Sequence, residues 1–334
     1  MKINIPDNYK SKLSLYDTQA AISFIKKVFE EKLSKELSLK RVSAPLFVDK
    51  DSGLNDDLDG KVKAVDFTIP SINKNGAVVH SLAKWKRMAL NEYGFYVGNG
   101  LYTDMNAIRK DEVLDNIHSI YVDQWDWERV IEEKDRNLDY LFNTVKKIHK
   151  IILETSEELK KKYPSISINL EKELTIVNSE DLIKNFPGEV AKDRENKFVK
   201  EHKAVFIYGI GNKLSDGLPH DDRASDYDDW NLNGDLLYYD EVLDIALEIS
   251  SMGIRVNDES LKKQLSLKNE GYKEKYKYHK MILNKELPLT IGGGIGESRL
   301  CMLLMGKAHI GEVQSSMWDE DTIKLAKEKG IKIL

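Results

Sequence analysis

The sequence predicts an α+β fold: a largely antiparallel sheet flanked by helices. Three observations carry this. Strand-like segments come in consecutive groups with no helix between them, which suits strands joined by short connections better than parallel crossovers. Two long amphipathic segments are suited to cover such a sheet. No long Gly/Pro/Ser-rich linker divides the chain, so its 334 residues are expected to form one domain, 1–334.

The first helix is expected over 17–38, capped by Asp17 or Thr18, with Ile22, Ile25, Phe29 and Leu33 on one face. RVSAPLFV (41–48) reads as a strand that Pro45 makes irregular or places at an edge. AVVH (77–80) and IHSIYVDQWDWERV (117–130) read as strands. A second helix is expected from about 135 to 162, with a stripe of Leu138, Leu141, Val145, Ile148 and Ile152, lysines 160–162 at its C-terminal end and Pro164 beyond. KAVFIYGIG (203–211), GDLLYY (234–239) and ALEISSMGIRV (246–256) are further strands, and a last helix begins near Ser298.

Composition removes several function classes. A formal net charge of −5 argues against wholesale nucleic-acid binding while leaving room for a local basic pocket. A single cysteine forbids an internal disulfide and makes a cysteine metal site improbable, which with the absence of a signal-peptide pattern points to the cytoplasm. No apolar run reaches the about 18 residues a membrane helix needs. The P-loop, the dinucleotide-binding glycine pattern and HExxH are all missing. His80, His118 and His220 read as strand-end or loop residues rather than ligands, and Cys301, in RLCMLL, as core packing.

The chemistry concentrates elsewhere. In YVDQWDWE (121–128), period two puts Val122, Gln124, Asp126 and Glu128 on one face and Tyr121, Asp123, Trp125 and Trp127 on the other. The first face is either a solvated sheet face or the floor of a pocket for an ammonium group. HSLAKWKR (80–87) sets Ser81 and Lys86 beside a tryptophan. Arg109, Arg255 and Arg299 lie in largely apolar segments, where charges need anionic partners. Together with Lys86 they point to a concentrated site for phosphate and carboxylate groups.

These motifs resemble those of a known group. The first helix with the Pro45 strand is similar to the dimer-interface motif of class II aminoacyl-tRNA synthetases. IRKDEVLDNIHSIYVDQWDWE (108–128) resembles their second motif, and GGGIGESRLCMLL (292–304) the third, a glycine-rich turn that delivers an arginine at a helix start. Gln124, Asp126 and Glu128, together with NGD (233–235), Glu248 and GIRV (253–256), resemble the aspartyl and asparaginyl subgroup. Over nearly the whole chain the resemblance is closer still to ammonia-dependent asparagine synthetases, the aspartate–ammonia ligases, through HSLAKWKR, GLYTDMNAIR, YVDQWDWERV, KLSDG, DYDDW, LNGD, SSMGIRV and TIGGGIGESRL.

The resemblance implies a class II synthetase-like core, working as a homodimer, that converts L-aspartate, ammonia and ATP to asparagine through a β-aspartyl-adenylate, releasing AMP and pyrophosphate. Arg109 would hold the α-phosphate, and Arg299 would lie over the adenine and reach the phosphates, with Gly294 allowing close backbone approach. Asp235 and Glu248 would carry Mg²⁺, Glu248 also serving the nucleotide. Lys86 and Arg255 would grip the α-carboxylate of aspartate, its amino group lying near Ser81, Gln124 and Asp126. Asp56, in LNDDLDG, and Asp228, in DYDDW, would close the site or bind ammonium, and a carboxylate such as Asp126 or Asp228 would take its proton. The runner-up is an aspartyl- or asparaginyl-tRNA synthetase, which needs a tRNA-reading domain before the first motif; here about 16 residues precede the first helix. A catalytically dead relative is the third reading, disfavoured by the retained Arg109, Arg255, Arg299, Asp235 and Glu248.

Overall fold

The computed structural model describes residues 3–56 and 63–334. The chain enters through helix α1 (Leu15–Leu37), capped by Ser14, whose Oγ accepts the Asp17 N–H at 3.1 Å. The cap is therefore one turn earlier than Asp17 or Thr18. Ala21, Ile25, Phe29, Leu33 and Leu37 are all fully buried.

The strand expected over 41–48 is two strands in two sheets. β1 (Leu39–Arg41) joins the main sheet, while β2 (Phe47–Asp49) pairs in a small one with β3 (Asp66–Ile69) and β4 (Lys74–Val78), in the order β2-β4-β3. The break falls around Pro45, which has no N–H to give to a ladder. Helix α2 (Ala83–Glu92) was not anticipated. β5 (Gly100–Ile108) and β6 (Tyr121–Val130) follow as an antiparallel pair. β6 starts four residues later than expected, because 117–120 form a loop in which the Asp115 carboxylate accepts the N–H groups of Ile117 and His118.

Helix α3 (Leu138–Lys162) begins at an Asn137 cap, three residues later than the periodicity suggested. Then come β7 (Thr175–Asn178), α4 (Ser179–Asn185), α5 (Ala191–His202), β8 (Ala204–Tyr208), β9 (Asp228–Asp240) and β10 (Ile245–Arg255). β8 stops short of 211; Gly209 and Gly211 take positive φ there and turn the chain away. The lysine-rich stretch after 256 holds α6 (Asp258–Leu267) and α7 (Lys277–Leu283).

GGGIG proves to be strand, not turn. β11 (Thr290–Gly296) runs straight into α8 (Glu297–Met305), and a further helix, α9 (Glu320–Glu328), follows what was expected to be the last one.

Among the described residues the main sheet has the order β1-β5-β6-β11-β10-β9-β8-β7. Its central pairs are antiparallel, and the two edge pairs, β1 with β5 and β7 with β8, are parallel. α1, α3 and α8 bury one face of it. Phe29 packs on Trp125 with ring centroids 4.6 Å apart, and Trp125 and Trp127 belong to the same core as Ile148, Ile152, Leu300 and Cys301. Hence the period-two reading of β6 holds: its tryptophan face is core, and its other face is left to line a cavity.

Candidate active site

The cavity, about 520 Å³, opens over β6, β11 and β10. Its floor comes from register. Gly292, Gly294 and Gly296 stand directly opposite Glu128, Asp126 and Gln124, so the polar β6 side chains meet bare backbone on the neighbouring strand. A Cβ on Gly294 would lie 2.4 Å from Gln124 Oε1, and one on Gly292 would lie 2.0 Å from Glu128 Oε2. The glycines therefore make room for protein side chains first.

Glu128 is fully buried. It accepts from Arg255 Nε at 3.0 Å and Nη2 at 2.7 Å, and from the Thr290 hydroxyl at 2.7 Å. Burial alone would raise its pKa, but Arg255 and Lys86 outweigh that and hold it low. Arg255 Nη1 also donates to Asp228. Burial nonetheless raises the Asp228 carboxyl, with Arg255 acting against the rise. A guanidinium has five N–H groups, so Arg255 keeps one on each terminal nitrogen. Lys86 does not: its ammonium donates to Asp126 Oδ1 at 2.8 Å and to the carbonyls of Trp127 and Gly293, each at 3.1 Å, which occupies all three hydrogens. The other Asp126 oxygen takes the Leu82 N–H at 3.3 Å.

Arg109 and Arg299 are less committed. Arg109 follows β5, 4.0 Å from Glu112, and its buried Nε has no hydrogen-bond partner among the described residues. Arg299, in the first turn of α8, gives Nη1 to the Glu248 carbonyl at 3.2 Å. The α8 start is pinned by Asp123, which accepts the Ser298 N–H at 3.2 Å, its hydroxyl at 2.8 Å and Gln314 Nε2 at 3.1 Å. Lys26 of α1 reaches both Asp123, at 3.2 Å, and Glu297, at 2.7 Å. One ammonium faces two buried carboxylates; burial and the Asp123 charge push Glu297 up to about 7 in spite of Lys26.

The cavity wall brings together Asp56, Ser81, Lys86, Arg109, Gln124, Asp126, Asp228, Glu248, Gly294, Arg255 and Arg299, eleven side chains or backbone positions that the sequence singled out. LNDDLDG is described only through Asp56. Asp235 lies just behind the wall, ion-paired with Arg223, which does line the cavity. Burial, with the charges of Glu248 and Asp221, pushes the Asp235 carboxyl up to about 8 against the pull of Arg223, and its Oδ1 is buried without a partner among the described residues. Sequence reasoning missed Arg223, whose exposed-looking DDR context gave no signal. It missed the roles of Asp123 and Gln314, which depend on contacts up to 191 residues apart. Glu128 was placed on the right face without a partner. Among the described residues no group of three or more His, Cys, Asp or Glu side chains is arranged to hold a metal, and no helix is long and apolar enough to cross a membrane.

The fold is that of class II aminoacyl-tRNA synthetase catalytic domains. Two solved structures share the fold. Asparaginyl-tRNA synthetase from Entamoeba histolytica, in complex with asparaginyl-adenylate, superposes with a TM-score of 0.66 over 90% of this chain and 66% of its own, at 13% identity. The Pyrococcus horikoshii enzyme, also with asparaginyl-adenylate, gives 0.65 over 89% and 68%, at 15% identity. The chain thus spans about two thirds of each synthetase.

Sequence comparison narrows the class. The family model described as aspartate-ammonia ligase matches residues 16–330. Aspartate–ammonia ligases from Clostridium tetani and Lactobacillus johnsonii are 54% and 52% identical across 100% of this chain and 98% and 100% of their own. The chain belongs to the aspartate–ammonia ligase family. It is an enzyme of asparagine biosynthesis that amidates L-aspartate with ammonia, using ATP.

Proposed function

We propose that the reaction runs through a β-aspartyl-adenylate, with release of pyrophosphate and then AMP, in a single catalytic domain spanning 1–334. The observation that carries this is the division of cations in one cavity. Arg255 and Lys86 are tied to buried carboxylates, whereas Arg109 and Arg299 retain donors on its wall. Arg109 and Arg299 are the nucleotide arms: Arg109 takes the α-phosphate, and Arg299 lies over the adenine and reaches the phosphates. Preorganised donors of this kind stabilise the charge that develops on phosphorus and on the acyl oxygen.

Aspartate lies on the β6 floor. Its α-carboxylate takes the two remaining N–H groups of Arg255, with Asp228 and Glu128 holding that guanidinium still. Lys86 acts from behind, fixing Asp126, because a substrate carboxylate must displace one of its present partners to reach it. Asp126, Gln124 and Ser81 accept the α-ammonium, and Asp56 closes over it. This leaves the β-carboxylate directed at ATP. Gly294 leaves room for Gln124 and Asp126 to stand beside the ligand.

Mg²⁺ fits the remaining acids. Asp235 has a buried oxygen without a hydrogen-bond partner among the described residues and suffers repulsion from Glu248, and Mg²⁺ is commonly held by one or two carboxylates with substrate phosphates supplying the rest. Asp235 and Glu248 would hold it, and it would neutralise phosphate charge. The enzyme is proposed to be a cytoplasmic homodimer that takes no nucleic acid.

The test is a tRNA-free assay with aspartate, ammonium, ATP and Mg²⁺. Aspartate-dependent exchange of pyrophosphate into ATP, and asparagine and AMP in equal amounts, are expected. ADP in place of AMP, or a requirement for tRNA, overturns the reading.

A further inference from the structure

His80 lies between β4 and α2, 1% exposed, on the wall of the cavity. Its backbone N–H donates to Asn55 Oδ1 at 2.8 Å, and Asn55 in turn donates to the Val78 carbonyl at 3.0 Å. The ring is fixed by Nδ1, 3.1 Å from the Asp56 carbonyl oxygen. A carbonyl only accepts, so Nδ1 carries the hydrogen, and in the neutral ring Nε2 holds a lone pair. That Nε2 is buried and has no hydrogen-bond partner among the described residues. Leaving a buried acceptor unmade is costly, and on a cavity wall a donor that arrives can satisfy it.

The established reaction brings such a donor. Ammonia is present near neutral pH as ammonium, which has no lone pair and cannot attack a carbonyl. Two of the cavity carboxylates already accept from buried cations. Asp126 already accepts from Lys86 on one oxygen and from the Leu82 N–H on the other, and Asp228 accepts from Arg255. The wall also carries the carboxylates of Asp56, Glu112, Asp123, Asp221, Asp222 and Glu248, and the cations Lys86, Arg109, Arg223, Arg255 and Arg299.

We propose that His80 is the general base of amide formation. Nε2 takes one proton from ammonium, giving imidazolium and free ammonia. The ammonia lone pair forms the C–N bond at the activated β-carbonyl carbon. The bond from that carbon to the bridging phosphate oxygen breaks, and its electron pair leaves with AMP. The surplus proton on nitrogen passes to the AMP phosphate or to water, and the imidazolium returns its own to water. Asn55 holds the His80 backbone in place.

This rests on the adenylate reading, so the experiment separates the two. Pyrophosphate exchange in the unmodified enzyme comes first, since its absence removes the adenylate whatever His80 does. The variants are His80→Asn, whose amide can still donate to the Asp56 carbonyl, and His80→Ala. Each is assayed for exchange, for amidation by ammonium, and for amidation by hydroxylamine, a nucleophile already neutral near pH 7. The expected result is exchange and hydroxamate formation within about threefold of the parent, with ammonium-dependent amidation down roughly 10²-fold or more. The ammonium rate of the variants should also climb about tenfold per pH unit as free ammonia accumulates, more steeply than the parent. An ammonium rate close to the parent's, an equal loss with both nucleophiles, or a loss of exchange in His80→Asn overturns the proposal.

Discussion

Gly292 shows how much one missing side chain decides. Its Cβ would press on Glu128 Oε2 at 2.0 Å and on Arg255 Nη2 at 2.7 Å, and neither can retreat from a fully buried pair. Gly292→Ala is expected to split that pair. Leaving either charge buried and unpaired costs about 2–5 kcal/mol, to be read as a raised KM for aspartate together with a lower denaturation midpoint. An unchanged KM would detach Arg255 from aspartate. Asp240, at the end of β9, is a second residue-scale case. Its carboxyl is raised to about 6 by burial, against the hydrogen bonds it accepts from the Val242 and Leu243 N–H groups. An acid whose folded pKa exceeds its unfolded value takes up a proton on folding, so stability falls as pH rises from about 4 through 6 and stays lost above. Asp240→Asn is expected to flatten that decline in pH-dependent urea unfolding, by on the order of 2–3 kcal/mol between the ends. A parent slope kept in the variant would assign it to other groups.

At the scale of elements, α1 is both core and scaffold. Phe29 covers Trp125 on the back of β6, and Lys26 one turn earlier holds Asp123 and Glu297 beside the start of α8. Phe29→Ala is expected to cost about 3–5 kcal/mol in denaturant unfolding, and kcat with saturating substrates should change less than stability does. A kcat collapse without destabilisation would make α1 part of the site's dynamics instead. Elements whose pattern is local were legible: α1, α3, β6, β9 and β10 stand within a few residues of their expected places, apart from β9, which begins six residues earlier. The strand over 41–48 was not, because nothing in its residues says that the chain changes sheets at Pro45. The short helices α4, α6 and α7 were hidden by charged sequence with weak apolar periodicity, and four glycines in five residues masked β11 as a turn.

For the whole molecule, the decisive features are a net charge of −5 and one inaccessible thiol. Cys301 is fully buried in the core under the sheet, where burial pushes its thiol well above the usual range. It cannot open glutamine as a nucleophile, since the thiolate is the reactive form. Glutamine is expected to give no asparagine above the level set by contaminating ammonia, and Cys301→Ser should keep the ammonium-dependent rate. Amidation from purified glutamine at the ammonium rate would require another nucleophile.

The sequence by itself determined the side-chain alternation along β6, the three arginines and the absence of competing motifs, because these are properties of neighbouring residues and of composition. Tertiary structure alone decided which charges are already satisfied. Lys86 meets the Gly293 carbonyl 207 residues away, Arg255 meets Glu128 across 127, and the Asp56 carbonyl orients the His80 ring while leaving Nε2 open. A buried ion or ring nitrogen takes its chemical role from its partners, and those are set by which strands lie side by side.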